Sequence, residues 1–145
     1  MSESIDLSQV DDRDWFLQNL VNLVNARDIK LGITLNVGGF LVSGLLVSGQ
    51  KYFGGFGEDL GSNFNDPETR AGIEQAYAQL GDIYSASRSA SQTTAPPNYL
   101  HLMQARFFNT GGHPIPGNNG VWWRGRISEV SGFFLGMLDA QEGVE

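Results

Sequence analysis

Between Leu31 and Val47 the hydrophobic pattern has a period of two and is broken once, at Gly38-Gly39. Ile33, Leu35 and Val37 alternate with Thr34 and Asn36, the pattern of a strand with one buried face. Two adjacent residues free to take positive φ then meet the requirement of a tight hairpin turn. The returning segment, Phe40–Val47, is almost continuously apolar, so both of its faces are expected to be covered at least in part. A chain with such a hairpin near its start must build an antiparallel sheet around it. The tetrapeptide Leu-Val-Ser-Gly occurs at residues 41–44 and again at 46–49, and this odd offset puts the two serines on opposite faces of a regular strand. A bulge or bend near Gly44 restores the phase, as glycines do where small barrels bend.

The flanking segments change period. Phe16, Leu20 and Val24 form a helical stripe with Leu17 and Val21 beside it, and acidic residues crowd the preceding turn, so a helix is predicted over residues 11–27 with its cap between 8 and 14. Residues 54–61 are glycine-rich and read as a hinge or loop. Asp66-Pro67 is a helix start, and Ile73, Tyr77, Leu80 and Tyr84 follow at helical intervals, predicting a second helix over residues 67–84. Residues 85–97, rich in Ser and ending in two prolines, have too little apolar content to pack and predict a flexible loop. Strand character returns over residues 99–108 and 121–130, with Ser131-Gly132 as a second tight turn and 133–138 as the strand after it. The whole predicts an α+β fold: an N-terminal helix plus a curved antiparallel sheet, or a small Sm/SH3-like barrel with a helical insertion.

The 145 residues suit a single domain, 1–145, with flexible tails at 1–10 and 139–145. There is no cysteine, which removes disulfides, thiolate nucleophiles and Cys-based zinc sites together. The start is acidic and lacks the basic and apolar regions of a signal peptide, so a cytoplasmic location is expected. The longest apolar run, residues 38–49, is interrupted by Ser43, Gly44 and Ser48 and falls short of the roughly 20 residues of a membrane span. A net charge of −7 repels phosphate backbones and argues against nucleic-acid binding.

Candidate chemistry is sparse. His101 lies in a strand pattern and His113 in a loop, without the spacing of a metal site. Ser43 and Ser48 precede glycines but not in the frame of a nucleophile elbow. The run at 54–61 resembles a phosphate-binding loop only in its glycines, since it lacks the lysine and carries Glu58 and Asp59. No catalytic residue, metal or cofactor is expected. The most unusual segment contains Trp122, Trp123, Arg124 and Arg126: adjacent tryptophans in a strand point to opposite faces, so either one enters the core while the other is displayed beside an arginine, or both rings are buried on a two-sided sheet. Trp and Arg dominate binding hot spots, which makes these four the candidate partner-binding residues.

The stretch beginning Gly32-Ile-Thr-Leu-Asn-Val-Gly-Gly, with Val-Ser-Gly, Lys51-Tyr52-Phe53 and Tyr99-Leu-His-Leu after it, and the ending Trp123-Arg-Gly-Arg-Ile-Ser-Glu-Val-Ser-Gly-Phe-Phe-Leu-Gly, resembles the gas vesicle accessory protein U (GvpU-like) family. The resemblance runs from about residue 31 to 138 and is most specific at its end. It implies a non-enzymatic accessory role in vesicle assembly or clustering, with vesicle shell or other accessory proteins as partners, vesicle association and self-association. A second resemblance concerns architecture: Gly39-Phe-Leu-Val-Ser-Gly-Leu-Leu is similar to the first motif of Sm-like proteins, and Arg124-Gly125 to part of the second. That resemblance implies a nucleic-acid-binding barrel or an oligomeric scaffold. Where Sm-like RNA binders usually carry Asp and Asn, however, this chain has Gln50 and Gly54.

Overall fold

The structure is a computed structural model describing residues 12–85, 96–109 and 111–139. The tail expected at 1–10, and most of the tail at 139–145 and of the loop at 85–97, lie outside the described residues. Helix α1 spans Trp15–Arg27. It starts later than expected because Asp14 holds extended backbone angles and its side chain accepts from the Phe16 amide at 2.9 Å, which closes the first turn. The stripe it buries is Leu17, Val21 and Val24, one position round from the expected Phe16-Leu20-Val24 stripe. Leu20 packs at the margin of the core, while Phe16 is 53% exposed.

Strands β1 (Leu31–Val37) and β2 (Phe40–Val47) form the expected hairpin. Gly38 and Gly39 take φ of 61° and 90°, which only glycine adopts without strain at both central turn positions. β2 is covered on both faces. The predicted irregularity at Gly44 is present, but the extra residue belongs to the partner strand: β3 (Tyr99–Phe108) bulges where Gln104 takes φ of 55°. A Cβ on Gly44 would lie 2.9 Å from the Met103 carbonyl oxygen, so the bulge needs glycine opposite it. Ser43 and Ser48 are both structural. Ser43 is buried against Thr34 at 3.0 Å, and Ser48 caps the next helix by accepting from the Lys51 amide.

That next helix corrects the reading of residues 54–61 as a loop. Helix α2 spans Gly49–Gly61 and carries five glycines in thirteen residues. Each glycine costs a helix about 0.5–1 kcal/mol relative to alanine, and close packing offsets the loss. A Cβ on Gly57 would lie 2.8 Å from the Tyr77 Cβ on α3 (Pro67–Leu80), and one on Gly55 would lie 1.9 Å from the Trp122 ring. α3 begins as expected, with the Asp66 side chain accepting from the Thr69 amide at 3.1 Å, and it ends in a 3₁₀ turn at Gly81–Tyr84.

The sheet order is β4-β3-β2-β1-β6, with β4 being Pro114–Ile115 and β6 Val130–Leu135; β5 (Val121–Arg126) pairs with the other half of β3 on the same side as β4. Ser131-Gly132, expected as a turn, lies inside β6, and the reversal is made instead by a 3₁₀ turn at Ile127–Glu129. β5 and β6 thus stand on opposite sides of the sheet yet are joined by three residues. Four strand spacings of about 4.8 Å separate them in a flat sheet, while three 3₁₀ residues advance only about 6 Å. The sheet must therefore curl. Among the described residues no ladder joins β5 to β6, so it is a curved open sheet and not a closed barrel.

The main core lies on one face: Leu17, Val21 and Val24 of α1 meet Ile33, Leu35, Val42, Leu46, Leu100, Leu102 and Ala105, and Ile127 and Val130 close the curled end. Replacing Leu17 with Ala should lower the unfolding free energy by about 2–5 kcal/mol, as for other buried leucines. Phe16→Ala should cost about 1 kcal/mol or less. Urea unfolding of both variants measures the difference, and equal losses would contradict the placement of the helix.

Candidate functional site

The opposite face of the sheet carries the polar and aromatic residues. Strand alternation puts His101, Trp122, Arg124 and Arg126 on this face and Trp123 on the core face, through the pairs His101–Arg124 and Leu102–Trp123. The two tryptophans do point to opposite faces, but neither ring is openly displayed. Trp122 is half-buried beneath α2, edge-on to Tyr52 at 6.0 Å, and Trp123 is half-buried against Phe107. Arg124 and Arg126 are exposed.

His101 is the centre of this face. It is 1% exposed and sits among the rings of Tyr52, Phe53 and Tyr84, with centroids 4.7, 5.8 and 5.2 Å away. Arg124 Nε donates to His101 Nε2 at 3.3 Å, which puts the imidazole proton on Nδ1. Burial, and secondarily the Arg124 charge, push its pKa from the ordinary 6.5 down to about 3. The Arg124 guanidinium in turn lies 3.7 Å from the Tyr99 ring centroid and 5.8 Å from that of Phe53, a stacked arrangement that restrains it. Burial also raises the Tyr52 hydroxyl pKa, with Arg124 opposing part of the shift. A neutral imidazole and a held guanidinium inside aromatic walls make a rigid junction between β3, β5 and α2. His113 is a solvated loop residue.

A second surface lies at the β6 edge. Trp15 (72% exposed), Phe16 and Phe133 form a chain of ring contacts, 5.9 and 5.7 Å between centroids, and Leu135 (60% exposed) continues the same side of the strand. Phe134, half exposed, projects from the other side. Beyond Leu135 the chain folds back over the sheet, where the Ser43 hydroxyl accepts from the Leu138 amide at 2.7 Å and the Thr34 hydroxyl donates to the Gly136 carbonyl at 2.8 Å.

A family model described as gas vesicle protein GvpU-like matches residues 14–138. The chain belongs to the GvpU-like family. No curated protein and no solved structure matches it. The match runs from the cap of α1 to the segment that folds back after β6, so the described body of the GvpU-like chain is the family's unit. Its stretch from Trp123 to Gly136 forms β5, the 3₁₀ turn and β6, the part that forces the sheet to curl. Gln50 and Gly54, compared above with Sm-like positions, lie on helix α2 and not on a strand. Among the described residues no group of three or more His, Cys, Asp or Glu is placed to hold a metal ion, and no helix is long and apolar enough to cross a membrane.

Sequence reasoning names Tyr84 only in a helical stripe and Tyr52, Phe53 and Tyr99 only as part of the family resemblance, and places none of them at a site. The signal was present: Ser48 is a helix cap, and Tyr52, Phe56 and Leu60 recur every four residues. Because His101 resists protonation in the folded state, the unfolded chain binds a proton near pH 6.5 that the folded chain refuses until about pH 3. The stability from this site is thus complete above pH 6.5 and falls as the pH drops, by roughly 2–3 kcal/mol at pH 4.5. Unfolding free energies measured from pH 7.5 to 4.5 should show this slope in the native chain and a shallower one in His101→Gln; parallel slopes would remove His101 as its source.

Proposed function

We infer that this chain is a non-enzymatic accessory protein acting in gas vesicle assembly or clustering through protein–protein contacts, in the cytoplasm and in association with vesicles. The observation that carries the reading is the family match over residues 14–138. Its partners are vesicle shell proteins or other accessory proteins. The contact surface includes the Trp122, Trp123, Arg124 and Arg126 segment, with a division of labour: the tryptophans brace α2 and the core, while the arginines face solvent. Self-association uses the β6 edge, which has no further strand partner among the described residues and lies beside exposed Trp15, Phe134 and Leu135. Exposed aromatic residues along an open strand edge favour pairing with another chain.

Purified chain mixed with vesicles from a strain that makes them is expected to float with the vesicles, and a pull-down from the same lysate to recover shell or accessory proteins. Absence from the floating layer together with recovery of neither would refute the reading. Phe134→Glu combined with Leu135→Lys should weaken self-association about tenfold or more in sedimentation velocity at unchanged melting temperature. Undiminished self-association would move that role away from β6.

A further inference from the structure

The chain holds a single Asn-Gly pair, Asn119-Gly120, in the bend that leads into β5. The fold demands glycine at its second position for two reasons. Gly120 takes φ of 95°, and a Cβ there would lie 2.5 Å from the Gln104 carbonyl carbon and 2.9 Å from the Ala105 carbonyl oxygen. It is thus packed against the β3 bulge, one residue before the pairing of Val121 with Ala105. The consequence falls on Asn119. An asparagine side chain is attacked most readily by the following main-chain nitrogen when the following residue has no Cβ to obstruct the approach, and Asn119 is exposed to the water that completes the reaction. The Gly120 nitrogen is not free, however: its N–H donates to Asn118 Oδ1 at 3.0 Å, closing an Asx turn.

We propose that Asn119 is a site of spontaneous deamidation and that the Asn118 side chain is the positioning residue that holds its rate down. In the reaction the Gly120 amide loses its proton and its nitrogen bonds to the Asn119 side-chain carbonyl carbon. The bond from that carbon to the side-chain nitrogen breaks, and the nitrogen leaves as ammonia with the proton. Water then opens the resulting succinimide at either carbonyl, to aspartate or to isoaspartate. The bond to Asn118 opposes the first step twice: it stabilises the protonated amide, and it ties down the nitrogen that must move onto the side-chain carbon. Either product adds a carboxylate at the entry to the strand of Trp122 and Arg124. Isoaspartate also lengthens the main chain by one methylene beside the close contact with Gln104, so the Ala105–Val121 pairing is the first to be lost. The inference goes beyond the vesicle reading and stands independently of it.

The test incubates the full chain at mildly alkaline pH, both folded and in urea, and follows the peptide containing Asn119 by mass spectrometry together with enzymatic methylation of isoaspartate. The expected result is conversion at Asn119 ahead of every other asparagine, and slower in the folded chain than in urea. Asn118→Ala should speed conversion of the folded chain about two- to tenfold, the effect of one hydrogen bond on a rate, and leave the rate in urea unchanged. Asn118→Asp keeps an oxygen that accepts from the Gly120 amide and should keep the slow rate, which a general loosening of the bend by substitution would not do. Conversion at Asn119 no faster than at other asparagines, equal rates folded and in urea, an unchanged rate in Asn118→Ala, or Asn118→Asp as fast as Asn118→Ala would each overturn the proposal.

Discussion

Three residues, Ile127–Glu129, carry the chain from one side of the sheet to the other, and the shape of the molecule follows from that short connection. A flat sheet of this strand order cannot be bridged by so few residues, so the strands must coil until the end of β5 approaches the start of β6. The bulge at Gln104 supplies part of the required bend, in the strand that pairs with β2, β4 and β5 together. Ile127 is fully buried at the point of crossing. The connection is therefore anchored in the same core that α1 covers, and curvature and core burial are two consequences of one constraint.

Curling also explains why the second face of the sheet is occupied. A strongly bent sheet presents its other face as a surface that helices can straddle, and α2 does so only because its small residues let it approach. Gly55 brings the helix backbone against the Trp122 ring, and Gly57 brings α3 against α2. In the space so enclosed, a histidine must be neutral, and neutrality lets His101 accept a bond from Arg124 instead of competing with it for positive charge. The same contact sets the arginine over Tyr99. Both arginines are exposed and stand two positions apart on one strand face, and Arg124 is the one held by His101 and Tyr99.

The parts of this fold legible in the sequence are those in which local chemistry and tertiary packing agree. The hairpin at Gly38-Gly39, the start of α3 at Asp66-Pro67 and the long strand β3 each carry their own turn, cap or period. The α+β class follows from those same segments, whereas the family resemblance is most specific at Trp123 to Gly136, a stretch whose turn the sequence misplaces. The failures share a cause. Glycine has a poor intrinsic tendency to form helix, so α2 reads as a loop until its partners are known; it is a helix because tertiary contacts with Trp122 and Tyr77 outweigh that tendency. The Ser131-Gly132 pair reads as a turn by composition, but the strand pairing of Asn36 with Gly132 holds it extended. At the candidate site, opposite orientation of Trp122 and Trp123 followed from strand alternation alone. Whether Trp122 was displayed or covered stayed open there, because its cover is a helix that the glycines concealed.

The two sides of the sheet differ in how they meet solvent, and the difference bears on the kind of assembly this chain can form. The side made by β4 and β5 carries Pro114, Arg124 and Arg126, and prolines and charges are the usual means by which edges avoid pairing. β6 has no charged residue and no proline, and it is flanked by Trp15 and Phe16. A chain with two bare edges can add copies without limit, whereas pairing through β6 alone joins the same edge to itself and closes at two copies. Such a pair would leave both β4–β5 sides facing outward. A particle-clustering protein needs bivalence and not polymerisation: two outward-facing sites on one rigid pair turn individually weak contacts into a bridge between large surfaces. The asymmetry between a guarded and an unguarded edge is therefore the feature of the fold that the proposed self-association would use.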